Sequence, residues 1–170
     1  MKLKYTTAPS LAAVDADKLL SDGKLFVILD IDNTITEWRS MDISKEVLEW
    51  TQNAMQKGLT LFLLSNNHDH NRSSQLAQRL GAKWCKVPHK KPSPKAFECA
   101  LDNMGASAEQ TVMIGDQLYG DMLGCNRCNI TGILLDPISP REAPITRILR
   151  VWERLCGRKV IFRRENTEVL

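Results

Sequence analysis

Short apolar runs alternate along this chain with segments whose apolar residues recur at helical spacing. The first run, "FVILDIDNTI" at 26–35, predicts a buried strand over Lys24–Ile31, set off by the turn-forming "SDG" before it. Val47, Leu48, Trp50, Ala54 and Met55 then mark a helix from about Ser44 to Lys57, ended by Gly58. "LTLFLLS" (59–65) reads as a second strand, Asn71–Leu80 as a helix closed by Gly81, and "AKWCKV" (82–87) as a shorter third strand. In "PSPKAFECALDNMG", Ser93 is a good N-cap, Pro94 suits the first helical position, and Gly105 is the stop. "TVMIG" (111–115) and "TGILLD" (131–136) complete five strands, with a helix between them from about Leu118. A last helix is expected over Glu142–Cys156.

Strands that alternate with helices predict an α/β fold: a three-layer, doubly wound domain around a five-stranded parallel sheet. No linker or repeat divides residues 1–170, so one domain is expected. In such a sheet the ligand lies at the carboxyl ends of the strands, near the point where strand order reverses.

Composition narrows the class. The chain is 43% hydrophobic and 25% charged, as soluble globular proteins are. It has no apolar stretch of membrane-spanning length, and "MKLKYTTAPS" lacks the apolar run of a signal peptide. Five cysteines without framework spacing suggest reduced thiols and a cytoplasmic setting. Residues 1–140 carry 15 basic and 16 acidic side chains, whereas 141–164 carry eight basic and two acidic, so an anionic partner is to be sought at the C-terminal helix.

Polar groups collect where the strands end. The first run closes on Asp30 and Asp32, the second on Ser65, and the fourth on "GDQLYGD" with Asp116 and Asp121. "KKP" at 90–92 brings Lys91 in front of a helix. Singly, each has a plain explanation: a turn, a cap, a solvated lysine. Together at successive strand ends they suit phosphoryl chemistry. Asp30 and Asp116 could share Mg²⁺, a hard cation that takes few carboxylates plus water and phosphate. A carboxylate so placed can attack phosphorus, Asp32 can move the proton, and Ser65 and Lys91 can hold phosphoryl oxygens.

"DIDNT" with Ser65, Lys91 and "GDQLYGD" resembles the haloacid dehalogenase-like superfamily, subclass III, most closely its YqeG-type branch, which includes phosphatidylglycerophosphate phosphatases. The resemblance extends over most of the chain through "LDIDNTIT" with Trp38, "LLSNN", "KKPSPKAF" and "GDQLYGDMLGCNR". It implies Asp30 as nucleophile and Asp32 as acid/base, with Mg²⁺ held by Asp30, Asp116 and the main-chain carbonyl of Asp32. It further implies that Asp121 supports the metal from behind, Thr34 steadies the loop, and Asn66 helps bind phosphate. Asn33 stands where the superfamily commonly has Gly, Gly120 where the branch often has Thr, and Cys125 and Cys128 where small residues are usual. The cysteines form a single C-x-x-C, which reads as buried small side chains.

The intervals between motifs leave no room for a cap domain: 32 residues separate Asp32 from Ser65, and 25 separate Ser65 from Lys91. In this superfamily an uncapped site implies a large or membrane-borne phosphate ester. Ile145, Ile148, Leu149, Trp152, Leu155 and Cys156 form one apolar stripe of the last helix, and Arg147, Arg150, Arg154 and Arg158 lie on another side. The expectation is a stripe packed on the domain, with the arginines solvated or facing an anionic membrane. His68 and His70 read as a solvated loop near the site that could touch substrate, since nothing completes a metal set. A soluble phosphate monoester or phosphoprotein substrate stays open, as does a non-catalytic interaction module. Nucleic acid is disfavoured because no reading motif accompanies the basic helix. Oligomeric state is not encoded in any feature of the sequence.

Overall fold

The computed structural model describes residues 3–155, 157 and 158. In chain order the elements are β1 (Thr6–Ala8), a 3₁₀ turn (Leu11–Ala13), α1 (Ala16–Ser21), β2 (Phe26–Leu29), α2 (Lys45–Gln56), β3 (Thr60–Leu63), α3 (His70–Leu80), α4 (Pro94–Met104), β4 (Thr111–Gly115), a π-helical turn (Leu118–Leu123), α5 (Gly124–Arg127), β5 (Thr131–Leu135) and α6 (Pro144–Leu155). The strands form one all-parallel sheet in the order β1-β5-β4-β2-β3, with helices flanking it in a Rossmann-like arrangement.

Alternation within β2 explains the two core layers. Val27 and Leu29 pack with Leu61, Leu63, Val112 and Ile114 against Val47, Trp50 and Ala54 of α2 and Leu76 of α3. Ile28 faces the other way, with Phe62 and Met113, against Ala96, Phe97 and Ala100 of α4. A parallel strand covered on both faces has no polar side to present, which is why these runs are continuously apolar.

The local start and stop signals act as expected. Ser44 caps α2 by accepting from Val47 N, and Pro94 opens α4. Gly81 and Gly105 end their helices in left-handed conformations that cost other residues more.

Two elements differ from expectation. Residues 82–87 are not a strand; only Lys83 makes a bridge, to Phe62. The fifth strand is instead β1 at the opposite edge, paired with β5 from Thr6↔Ile133 to Ala8↔Leu135. β1 is short and its first residues are exposed, so it carries no apolar alternation to betray it. The segment after β3 offers Trp84, Cys85 and Val87 as half-buried packing beside the loops rather than as sheet.

This order fixes the site. The chain leaves β2 for β3 on one side, then returns to place β4 on the other, so strand order reverses between β2 and β4. The register Leu29↔Ile114 and Leu29↔Leu63 brings the residues after β2, β3 and β4 to one edge. Phe62 is fully buried at the centre of this arrangement. Phe62→Ala is expected to lower stability by about 3–5 kcal/mol, measured as a shift of the urea midpoint at unchanged slope.

Candidate active site

β2 ends on Asp30, whose backbone N–H stays in the sheet by donating to Ile114 O at 3.0 Å. Its side chain is therefore aimed from a fixed backbone. Lys91 Nζ donates to Asp30 Oδ1 at 2.5 Å and to Asp121 Oδ1 at 2.7 Å, and all three groups are buried. Thr34 Oγ1 lies 3.5 Å from Asp30 Oδ2. The loop after Asp30 turns back at Asn33 (φ 63°), a left-handed conformation that Asn tolerates better than most residues. Asn33 also does what Gly cannot. Its carboxamide accepts from Ser139 N at 3.1 Å and donates to Arg141 O at 3.0 Å, tying the loop to the segment after β5.

Asp121 enters from the π-helical turn, a distortion often found at functional sites. Gly115 makes room for it: a Cβ there would come within 2.5 Å of Asp121 Cγ. Asp121 Oδ2 accepts from Gln117 N at 3.0 Å, so both of its oxygens are engaged.

Asp116, after β4, is fully buried. Its Oδ2 accepts from Arg150 Nη2, while Oδ1 has no hydrogen-bond partner. Oxygen atoms of Asp30, Asp116 and Asp121 lie within 4.8 Å of one another. Arg150 also donates to Asp116 O at 2.5 Å, to Glu153 Oε2 at 2.9 Å and to Glu142 Oε1 at 2.7 Å. Arg158 Nη1 adds bonds to Asp116 O (2.8 Å) and Glu153 Oε2 (2.6 Å), and Glu153 Oε1 accepts from Leu118 N at 2.7 Å.

Two ion-pair clusters, Lys91 with Asp30 and Asp121, and Arg150 and Arg158 with Asp116, Glu142 and Glu153, meet where the carboxylates of Asp30, Asp116 and Asp121 approach one another, and together they form a network of five carboxylates and three cations. Its formal excess is two negative charges, beside one orphaned carboxylate oxygen. That donor set fits a hard divalent cation.

The titration properties agree. Burial pushes the Asp116 carboxyl up to about 6, with Arg150 opposing the shift. Burial also holds the Asp30 carboxyl well above its ordinary value, against the pull of Lys91. Burial alone would discharge Lys91, but Asp121 and Asp30 outweigh it and raise its pKa, keeping the ammonium charged.

Asp32 turns away from the cluster. Its Oδ1 accepts from Arg39 N at 3.1 Å and lies 2.9 Å from Arg72 Nη1, and its Oδ2 accepts from Asn67 Nδ2 at 3.3 Å. Ser65 Oγ accepts from Asn67 N at 3.1 Å, which leaves its own proton free to donate. Asn66 bonds both ends of its carboxamide to the Lys91 backbone, at 2.7 and 2.9 Å, and so locks the loop after β3 to the start of the Lys91 segment. The structure thus gathers Asp30, Thr34, Lys91, Asp116 and Asp121 tightly, with Asp32, Ser65 and Asn66 along the rim.

Three contributors carried on helices were not apparent from the sequence as site residues. Arg72, buried on α3, holds Asp32 and also bonds Thr36 Oγ1 and Ser40 O, both at 2.8 Å. The others are Arg150 and Glu153. Their i,i+3 spacing on an amphipathic helix was the available signal, but arginine there is ordinarily a surface residue.

The last helix corrects its expectation. Arg150 and Glu153 are 3% and 1% exposed, whereas Ile145, Ile148, Val151 and Leu155 are 63%, 66%, 56% and 81% exposed. Ile145, Ile148 and Leu155 of the apolar stripe face outward while Leu149 is half-buried, and Arg150 and Arg158 reach inward to Asp116. Arg147 and Arg154 alone of the four arginines are exposed. Trp152's side chain and Cys156 fall outside the described residues. Cys125 is buried and Cys128 half-buried; burial pushes the Cys125 thiol up to about 12, so it is a packing group.

A family model described as haloacid dehalogenase-like hydrolase matches residues 38–129. The "Probable phosphatase YqeG" of Bacillus subtilis (strain 168) is 33% identical over 141 residues, covering 83% of this chain and 81% of that protein. The chain belongs to this family. Haloacid dehalogenase-like membership makes it a hydrolase of the phosphatase class. "Phosphatidylglycerophosphate phosphatase 1, chloroplastic/mitochondrial" of Arabidopsis thaliana is 26% identical over 161 residues, 90% of this chain but 45% of that longer protein. The fold is shared with the cobalt-bound deoxy-D-mannose-octulosonate 8-phosphate phosphatase (YrbI) of Haemophilus influenzae, at 21% identity and a TM-score of 0.55 over 68% of this chain and 70% of that one.

The raised carboxyls of Asp30 and Asp116 set the sign of a pH effect. The folded protein retains protons that the unfolded chain releases, so this contribution to stability is present below about pH 4 and lost as pH rises through about 6. With chelator present, this contribution should lower the thermal midpoint as pH rises from about 4 through about 6. A divalent cation should restore it at the higher pH more than at the lower, as differential scanning calorimetry would show. Arg150→Met should cost about 3–5 kcal/mol by leaving buried carboxylates uncompensated, measured by denaturant titration, and the divalent cation should recover part of the loss.

Proposed function

We propose that the protein hydrolyses a phosphate monoester through an aspartyl phosphate on Asp30, using Mg²⁺, with phosphatidylglycerophosphate as its substrate. The observation that carries this is the excess negative charge of the buried network at the switch point, beside the orphaned Oδ1 of Asp116. Bound Mg²⁺, held by Asp30, Asp116 and the Asp32 carbonyl, would screen the repulsion between a carboxylate and phosphoryl oxygens.

An Asp30 oxygen forms a bond to phosphorus as the bond from phosphorus to the alcohol oxygen breaks. Asp32 gives that oxygen a proton, and the alcohol leaves. Asp32 then takes a proton from water, whose oxygen attacks phosphorus and displaces Asp30 as a free carboxylate. Lys91 and Ser65 hold the phosphoryl oxygens through both steps. Asn66 and Asp121 act through Lys91, and Thr34 steadies Asp30. Residues 1–170 act as one catalytic domain in this scheme.

The lipid substrate is supported by the name of the Arabidopsis relative and by the short connections at the site. Among the described residues, none of the loops that carry the site contains an inserted domain. The outward face of α6 supports peripheral contact with a membrane. Its exposed aliphatic side chains are flanked by Arg147 and Arg154, while Glu142 and Glu153 are buried. No described helix is long and apolar enough to cross a membrane, and interfacial helices of this kind bind by apolar insertion plus attraction to anionic lipid. Among the described residues, Cys85, Cys99, Cys125 and Cys128 are free thiols.

Phosphate release from detergent-solubilised phosphatidylglycerophosphate and from a panel of soluble esters tests the assignment. The lipid should be preferred, release should need Mg²⁺, and Asp30→Asn should stay folded while losing at least about a thousandfold in kcat. Preference for soluble esters would refute the lipid substrate, and undiminished turnover by Asp30→Asn would refute the nucleophile. Sedimentation with phosphatidylglycerol vesicles should carry the protein down more than phosphatidylcholine vesicles do. Ile148→Asp should weaken that binding; equal sedimentation of variant and parent would exclude α6 as the contact.

A further inference from the structure

All three histidines of the chain, His68, His70 and His89, line one cavity of about 320 Å³. Lys86 and Lys90 line it too, and none of its lining residues is acidic. The basic groups are organised: Lys90 Nζ donates to His68 Nε2 at 2.8 Å, since an ammonium has only donors to offer. Trp84, Val87 and Pro88 supply an apolar wall, with the His70 ring 6.2 Å from that of Trp84.

The cavity opens from the site at a definite place. Ser65 and Asn66 border it, and so does Asn67, whose side chain donates to Asp32 Oδ2 at 3.3 Å. The oxygen that receives a proton from Asp32 must leave beside Asp32, so the departing alcohol is delivered to this neighbourhood. A second cavity, of about 430 Å³, also touches Asp32 through Arg39, but there Glu37 and Asp42 offset Arg39 and Arg141, so it has no net positive charge. Carboxylates repel an anion, whereas lysines and imidazoles can bind one through charge-assisted hydrogen bonds.

We propose that the histidine–lysine cavity is the leaving-group subsite, and that it selects alcohols bearing a second phosphate one short polyol away from the scissile ester. This rests on the phosphomonoesterase assignment above, since Asp32 locates the alcohol. It extends that assignment by naming which chemistry of the substrate is read and by which residues. The polyol lies against Trp84 and Pro88, and the second phosphate meets Lys86, Lys90 and the histidines. The acyl chains of a lipid are not read here, so the subsite serves a free headgroup as well as a membrane-borne one.

Two measurements test this, and they fail separately. The first compares kcat/KM for two water-soluble esters, glycerophosphoglycerol phosphate (the deacylated headgroup) and glycerol 3-phosphate. The parent protein should prefer the first, and Lys86→Gln/Lys90→Gln should reduce that preference about tenfold. No preference in the parent, or a preference untouched by the double variant, overturns the subsite. The second follows the three histidine ring resonances by NMR during titration with glycerophosphoglycerol, the dephosphorylated product, against glycerol. Shifts with the first and none with the second are expected. Silence with both, or equal shifts with both, overturns the subsite whether or not either ester is hydrolysed. Failure to hydrolyse either ester counts against the phosphomonoesterase assignment, while the titration still decides the subsite.

Discussion

Five buried carboxylates, after β2 and β4, on the π-helical turn, before α6 and on α6 itself, set the terms for the rest of the molecule. Taking such charges out of water costs several kcal/mol each even after relaxation. Lys91, Arg150 and Arg158 offset most of that cost, each making more than one contact with the network. Because the compensation is incomplete, the site keeps a standing affinity for positive charge. The parallel sheet contributes by fixing backbone direction: Asp30 and Asp116 follow adjacent paired strands, and Asp30 cannot relax outward without breaking its bond to Ile114 O.

The same constraint holds α6 by its polar face. Full burial of one aliphatic side chain is worth about 1.5–3 kcal/mol. Leaving Asp116 and its neighbours without Arg150 costs about 3–5 kcal/mol, and loss of the Glu153 bond to Leu118 N adds to it. The helix docks by that face, with Ile145, Ile148, Val151 and Leu155 outward. Apolar periodicity alone, which usually marks the inner side, points the wrong way here.

Much of the site was legible because its residues follow continuous apolar runs. "FVIL" before Asp30 and "TVMIG" before Asp116 declare buried strands, and a strand end is where an α/β sheet places polar groups. Gly81, Pro94 and Gly105 likewise announced helix boundaries through backbone chemistry local to each residue. What could not be read depends on distant partners. β1 is three residues held by pairing with β5, and "AKWCKV" has the composition of a strand without a neighbour to complete one. Arg72 and Arg150 look like surface residues until Asp32 and Asp116 are placed beside them. Asn33 stands where glycine is common in the superfamily, but its bonds to Ser139 and Arg141 appear only once the loop after β5 is in place.

The reach of Arg150 to Asp116 has a consequence for how the protein comes into being. All five strands precede α6 in the chain, so the sheet can close while Asp116 still lacks its guanidinium. During that interval the strand ends form an anionic pocket with less to balance it, and a cation from solution is the available substitute. The site would then be electrostatically complete only after the last helix has docked, which ties its charge balance to the seating of α6 rather than to closure of the sheet.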